Sequence, residues 1–446
     1  RRQRQMCIRD RPMHRELDLI DVWFDSGAMP YAQIHYPFEN KELLDNGEVY
    51  PADFIAEGVD QTRGWFFTLH AIAGMVFDSV AYKAVISNGL VLDKNGQKMS
   101  KRLGNAINPF DNIERFGVDP VRWYMISNSS PWDNLKYDEA GVAEVSRKLF
   151  GTLYNTYKFF AQYANVDGFT GAEAQVPVSE RPEIDRWILS RLNSLIAEVT
   201  ENLDNYEPTR AARAIDEFVN DHLSNWFVRL NRRRFWAGEM DNDKLAAYQT
   251  LYECLKTIAL LMAPFSPFYS DRLYGDLVAP AMEGDGYASV HLADFPVSDS
   301  ALIDSALEER MGMAQASTSS VLALRRKVSL KVRQPLQTLL IPVADERQRQ
   351  DLKAVKDIIL NEVNVKELKL VTNEESGLGK RIKADFKKLG PRFGKIMKDL
   401  GKAIMAMDQK QIAQLEREGQ FTFAELPGEP VVTLDDVEIA AEDVPG

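Results

Sequence analysis

The chain has 446 residues, 45% of them apolar and 27% charged, with a formal net charge of −12. That length exceeds one ordinary core, so two to four domains are expected, and the composition excludes a disordered or fibrous chain. No apolar run is long enough to cross a bilayer, and Cys7 and Cys254 stand too far apart for a metal or disulfide spacing, which fits a reducing cytosol.

An acidic total argues mildly against nucleic acid, but in a long modular chain the local basic clusters decide that question. The start, Arg1 to Arg11, is abruptly basic and lacks the apolar core of a signal peptide. It reads as a junction foreign to the rest of the chain and is excluded from fold reasoning. From Ala52, PADFIAEG reads as a strand, QTRGWFFTLHAIAGMVF as a buried helix and KAVISNG as the next strand. Such a unit implies a right-handed parallel crossover, hence an α/β sheet. LVLDKNGQKM reads as a hairpin turning at Asn95-Gly96. Asn108-Pro109 and Asp119-Pro120 open two short helices.

From about Glu139 the pattern is helical, with a polar, Gly-containing linker from Asp167 to Glu180. Glu183 to Pro280 gives four or five amphipathic helices, broken at Pro208, Gly238 and Pro264/Pro267, which is a helix bundle. From about Asp299 a basic helix is followed by a mixed α/β stretch, with ELKLV and FTFAEL as strands. The expected domains are 12–138 (half of a parallel sheet), 139–180 (a helical connector), 181–298 (the bundle) and 299–446 (a small α+β region, cut short at its end).

The sharpest local signal is GQKMSKRLGN, Gly96 to Asn105. Lys98 and Lys101 sit on a mobile cationic loop flanked by Gly96 and Gly104, after a strand of a parallel sheet, where ligands of such folds gather. Phosphoryl and adenylyl transfer spread negative charge over oxygens, and positioned ammonium groups stabilise it. A solvated surface turn would read the same.

The run Lys98-Met99-Ser100-Lys101-Arg102 resembles the KMSKS signature of class I aminoacyl-tRNA synthetases, with arginine in place of the last serine. Asp21-Val22-Trp23-Phe24-Asp25-Ser26-Gly27 and Glu57-Gly58-Val59-Asp60-Gln61-Thr62-Arg63-Gly64-Trp65-Phe66 are similar to the isoleucine members of that family. The resemblance runs from about Met13 to the final residues. It implies an ATP-dependent ligase: isoleucine attacks the α-phosphate to give isoleucyl-adenylate and pyrophosphate, and the aminoacyl group passes to tRNA(Ile).

Under it, Lys101 contacts the ATP phosphates with Lys98 beside it, and Met99, Ser100 and Arg102 belong to the same loop. Glu57, Gly58, Asp60 and Gln61 line the adenylate pocket, and Asn88 and Gly89 are further candidates where the backbone approaches adenine. Without the family, Asp60 is a helix N-cap, Gln61 begins the first turn, and Trp65, Phe66 and Phe67 are core. Asp21 and Asp25 invite acid/base chemistry, but adenylate formation needs none. His14, His35, His70, His222 and His291 are scattered, so MgATP is the only metal-bearing substrate expected and zinc is not.

Leu223 to Trp236 places Arg229, Arg232 and Arg233 on one helix face with Trp236 nearby, as an RNA-phosphate surface; pairing with Asp216 or Glu217 is the plainer reading. Arg325, Arg326 and Lys327, followed by Lys331 and Arg333, form a second basic cluster, read either as tRNA contact or as a solvated face. In the family the bundle is the anticodon-binding domain. The family's His-x-Gly-His stretch and its editing insertion, needed because one methylene separates isoleucine from valine, do not occur in this sequence. By itself the chain is therefore expected neither to activate amino acids nor to fold well in its first 140 residues. A monomeric, cytoplasmic ligase is the first reading. A valine or leucine ligase and a non-catalytic tRNA-binding protein are the alternatives.

Overall fold

The computed structural model describes Leu17 and residues 22–236, 238–278, 288–372 and 380–441. The basic start with Cys7, and also His14 and Asp21, lie outside the described residues. The chain divides into two compact units, Arg1–Asp304 and Ser305–Gly446.

In the first unit, helix α1 (Val22–Gly27) precedes strand β1 (Ala52–Gly58), a 3-10 turn (Val59–Arg63), helix α2 (Trp65–Ile72) and strand β2 (Tyr82–Asn88). β1 and β2 pair in parallel, in register from Ala52↔Tyr82 to Gly58↔Asn88. Leu69 and Ala73 close over the pair with Leu44, Tyr50 and Ala81. α2 is amphipathic where full burial was expected: Phe66, Leu69 and Ile72 are buried and Phe67 is exposed.

The expected hairpin is reduced to one antiparallel bridge, Leu92↔Lys98. Strand β3 (Val91–Leu92) is instead paired in parallel with β4 (Leu135–Lys136), which draws its backbone away from a two-stranded ribbon. Helix α3 (Pro109–Phe116) begins on the Asn108 side chain, which accepts from the Phe110 amide at 3.1 Å, with proline in the first turn where no amide is needed. Helix α4 (Val118–Ser127) follows and buries Trp123.

The bundle comprises α5 (Gly151–Asp167), α6 (Glu183–Asp204), α7 (Pro208–Glu217), α8 (Arg229–Trp236), α9 (Asn242–Met262) and α10 (Pro267–Val278). A π-helical stretch, Phe218–Val228, joins α7 to α8 without a break. Trp187, Ile215, Phe218, Phe227 and Tyr248 fill the interior. The polar stretch read as a linker lies pinned along α9. Gln249 accepts from the Val176 amide and donates to the Ala174 carbonyl, both at 2.9 Å, and buried Arg181 donates to Thr250 Oγ1 at 2.9 Å.

Helix α4 locks onto the bundle through backbone carbonyls. Arg122 Nε donates to Phe265 O at 3.1 Å, Arg213 Nε to Ser127 O at 2.8 Å and Thr209 Oγ1 to Ile126 O at 2.7 Å. The Asp119 carboxylate accepts from the Tyr269 amide at 2.5 Å, and burial pushes its pKa up. Phe54 of β1 stacks on Tyr206 at 4.9 Å.

In the second unit, helix α11 (Ser305–Lys327) is followed by β5 (Leu336–Pro342), α12 (Glu346–Ala354), α13 (Lys356–Val363) and β6 (Val365–Val371). β5 and β6 pair in parallel, again a strand-helix-strand unit. β7 (Lys380–Ala384) runs antiparallel to β10 (Val437–Ala441), and β8 (Gln420–Thr422) to β9 (Val431–Thr433). Leu389, Leu400, Ile404, Ile412, Leu415 and Val432 form their core.

Candidate functional site

The lysine loop is built on a buried acid. Asp93 Oδ1 accepts from the amides of Asn95 (2.9 Å) and Gln97 (2.8 Å), and Oδ2 accepts from Asn105 Nδ2 (3.0 Å). Hydrogen bonds from the Gln97 amide, then from Asn105 and the Asn95 and Gly96 amides, hold the Asp93 carboxyl below the usual range. Asn105 crosses the loop: its Oδ1 accepts from the Ser100 amide at 2.9 Å and its Nδ2 reaches the Lys98 carbonyl at 3.3 Å. Ser100 Oγ caps the turn Lys101–Leu103 by accepting from the Leu103 amide, and Gly104 leaves that turn at φ +66°, a conformation that favours glycine. Met99 packs on the cluster of Val121, Tyr124 and Leu135. A braced base therefore presents Lys98, Lys101 and Arg102 to solvent. Sequence reading passed over Asp93 and Asn105, the residues that hold the loop's shape.

The register of β1 and β2 sets Glu57 against Ser87 and Gly58 against Asn88 at the carboxyl ends of both strands. The chain leaves Asn88 through Gly89 and β3 into the lysine loop, so both candidate segments spring from the same end of the parallel pair. Glu57 and Asp60 are exposed. The cap expected of Asp60 is made by Gln61, whose Oε1 accepts from the Trp65 amide at 2.9 Å, while its Nε2 lies 3.4 Å from Asp60 Oδ2. Trp65 donates to the Ser26 carbonyl at 3.0 Å, which ties the DVWFDSG segment to α2. Gly89 is also required by the fold itself. Its amide donates to Pro131 O at 2.8 Å, and a β-carbon there would stand 2.2 Å from Asp133 O.

On α8, Arg229, Arg232, Arg233 and Trp236 all face solvent, Trp236 at 55% exposure, and Arg229 lies 6.0 Å over the Trp226 ring. Asp216, the acid considered as a partner, hydrogen-bonds Asn220 at 2.6 Å. The structural arginine is Arg234, one position on and turned inward. It grips fully buried Asp185 with two bonds of 2.6 and 2.9 Å and donates to Asp243 Oδ2 at 3.0 Å.

In the second cluster the structure separates Arg325 from its neighbours. Arg325 is 3% exposed and donates to the carbonyls of Lys331, Gln334 and Asn364 at 3.0–3.2 Å. That guanidinium is committed to the fold and is buried away from any phosphate. Arg326 and Lys327 are exposed. Among the described residues no group of three or more His, Cys, Asp or Glu is gathered to hold a metal ion, and no helix is long and apolar enough to cross a membrane.

Residues 3–138 match the family model described as "tRNA synthetases class I (I, L, M and V)", and residues 185–340 match "Anticodon-binding domain of tRNA ligase". Curated relatives named "Isoleucine--tRNA ligase" match over 98% of this chain: 67% identical in Bacteroides thetaiotaomicron, 64% in Porphyromonas gingivalis and 43% in Thermus thermophilus. The chain spans 37%, 38% and 41% of those proteins. Among solved structures, the ternary complex of Agrobacterium radiobacter K84 agnB2 LeuRS-tRNA-LeuAMS is similar in fold. It has a TM-score of 0.51 and 20% identity, covering 65% of this chain and 34% of that one. A parallel sheet end bearing a KMSKR loop, docked on a helix bundle and matched along nearly its whole length by these relatives, places the chain in the isoleucine–tRNA ligase family of class I synthetases.

Proposed function

We propose that this chain is the part of an isoleucine–tRNA ligase that carries the lysine loop and the tRNA-binding bundle. In that reading residues 12–138 belong to the catalytic Rossmann-like domain, 181–298 form the anticodon-binding bundle, and 299–446 add further tRNA contacts. The substrates are isoleucine, MgATP and tRNA(Ile), met in the cytoplasm by a monomer. The observation that carries the reading is the braced loop, which holds Lys98 and Lys101 outward beside the carboxyl ends of β1 and β2.

Adenylate formation needs no proton taken by an enzyme base. It needs negative charge stabilised as pyrophosphate departs, and a loop whose hydrogen bonds are already made supplies ammonium groups without reorganising. Lys101 and Lys98 act on the phosphates. Met99, half-buried against the Val121–Tyr124–Leu135 cluster, and Ser100, capping the turn, fix their spacing, while Arg102 adds a fork-shaped donor for a phosphate oxygen. Glu57, Gly58, Asp60, Gln61, Asn88 and Gly89 form the strand ends against which the adenylate lies. Arg229, Arg232, Arg233, Trp236, Arg326 and Lys327 present charge and one aromatic face to tRNA.

The test is isoleucine-dependent ATP–pyrophosphate exchange by the polypeptide that carries this sequence at the full length of its relatives. Lys101→Ala should cost about 100- to 1,000-fold in turnover with the fold intact by circular dichroism. Unchanged exchange in that variant, or a preference for valine or leucine, would overturn the reading.

A further inference from the structure

Helices α5, α9 and α10 leave a cavity of about 210 Å³ between them. Its walls include the rings of Tyr157 and Phe160 on α5, Phe169 just beyond that helix and Tyr252 on α9, together with the carboxylate of Asp276 on α10. Space remains because α5 contributes only methyl groups at Ala161 and Ala164. The rings are set by their own packing. The centroids of Phe160, Phe169 and Tyr252 stand 5.9–6.2 Å from one another, and Phe160 and Phe169, both buried, cross at 85°. Asp276 is the one charged residue among the described lining. Its Oδ2 accepts from Arg272 Nε at 3.0 Å, from a side chain 81% exposed, and its Oδ1 accepts no hydrogen bond among the described residues. The carboxylate also acts on the cavity wall: burial and then Asp276 push the Tyr157 phenol up.

An anion entering this cavity would be repelled by Asp276 and would find no cation on the lining. A neutral hydrocarbon would cover the rings but also strip water from a carboxylate without pairing it. An ammonium ion that carries alkyl groups satisfies both surfaces: its charge is attracted by the ring faces and the carboxylate, and its methyl groups displace water from the rings. The volume lies below the roughly 300–1,000 Å³ of sites for drug-sized molecules, so it suits a small head group. Arg272 does not bar the way, because an exposed pair held by one bond contributes little and its long side chain can swing into solvent.

We infer that the cavity between α5, α9 and α10 is a binding site for a small alkylated ammonium ion, held by the rings of Tyr157, Phe160, Phe169 and Tyr252 and by the Asp276 carboxylate. The inference is independent of the ligase reading and requires neither ATP nor tRNA.

The experiment titrates the full chain with choline and with 3,3-dimethylbutan-1-ol, its uncharged isostere, and reads binding by saturation-transfer NMR on the methyl protons of each. Choline should bind about tenfold tighter than the alcohol, since only the charge differs. Asp276→Asn should weaken choline about fivefold and leave the alcohol unchanged. Arg272→Ala should tighten choline about twofold by removing the competing cation, a gain that a merely structural role for the pair would not produce. Ala161→Leu fills the space with a good helix former and should abolish choline binding while circular dichroism stays that of the parent. Equal affinity for choline and the alcohol overturns the cation site in favour of a plain apolar hole. Choline binding that survives Ala161→Leu places the ligand elsewhere and also overturns it, as does the absence of saturable choline binding up to about 10 mM.

Discussion

A methyl group at residue 89 would meet the Asp133 carbonyl oxygen at 2.2 Å and its carbon at 2.4 Å, and neither is a side chain that can swing aside. Gly89→Ala must therefore push these backbone segments apart, at an expected cost of about 3 kcal/mol or more, read as a lower urea midpoint. The Asn105 amide serves the lysine loop more directly, since it joins Asp93, Lys98 and Ser100. Asn105→Ala should raise the KM for ATP about tenfold in pyrophosphate exchange, through the loss of its half-buried hydrogen bonds to Asp93 and Ser100. Asn105→Asp should be worse, because it sets a second carboxylate against Asp93; equal activity in both variants would show that the brace does not position the lysines. Lys98 and Lys101 were legible in the sequence because their motif is contiguous. Asp93 was not, because its role depends on a partner twelve positions away, and Arg325 misled because burial cannot be read from a basic string.

The same limit governs whole elements. The breaks expected at Pro208, Gly238 and Pro264/Pro267 fall between helices: α6 ends at Asp204 and α7 begins at Pro208, α8 ends at Trp236, and α9 ends at Met262 with α10 beginning at Pro267. Helical spacing also grouped Arg229, Arg232 and Arg233 on the exposed side of α8. It gave no sign that Arg234, 100° further round, is the residue that secures the helix, since its partners lie on α6 and at the start of α9. Arg234→Ala should cost about 3–5 kcal/mol by leaving Asp185 buried and unpaired. Arg232→Ala and Arg233→Ala should keep thermal stability within about 0.5 kcal/mol and weaken tRNA binding instead, as a melting curve and a tRNA titration on each variant would show.

At the end of α5, burial pushes the Asp167 carboxyl up, but hydrogen bonds from Lys244 and Tyr248 outweigh it and leave it below the usual range. A carboxylate depressed on folding stabilises the protein above its unfolded pKa, about 3.9, and that contribution is lost as pH falls through the folded value. Asp167→Asn should thus be less stable than the parent at neutral pH, with the gap narrowing below about pH 4. A gap that stays constant from pH 7 to acid would contradict the assignment.

At the scale of the molecule, the strand-helix-strand start, the helical middle and the mixed end were readable from hydrophobic period alone. What periodicity could not supply was the joint between the first two, made by Arg122, Thr209 and Arg213 side chains on carbonyls more than 80 positions away. All seven tryptophans precede Asp304, so indole fluorescence reports only on the first compact unit, whereas far-ultraviolet dichroism reports on both. With a separate core in each unit, the two probes should give urea midpoints that do not coincide; superimposable curves would mean a single cooperative fold. The pair of strands beneath the lysine loop carries a further consequence. Among the described residues β1 and β2 have no third neighbour, and Phe54 of β1 and Val85 of β2 are 41% and 43% exposed. Two lone parallel strands offer outward rows of amides and carbonyls to any extended polypeptide that drifts past. Concentrated solutions of this chain should accordingly thicken into β-rich oligomers seeded at that seam, and capping the seam with a matching peptide is the direct route to keeping them clear.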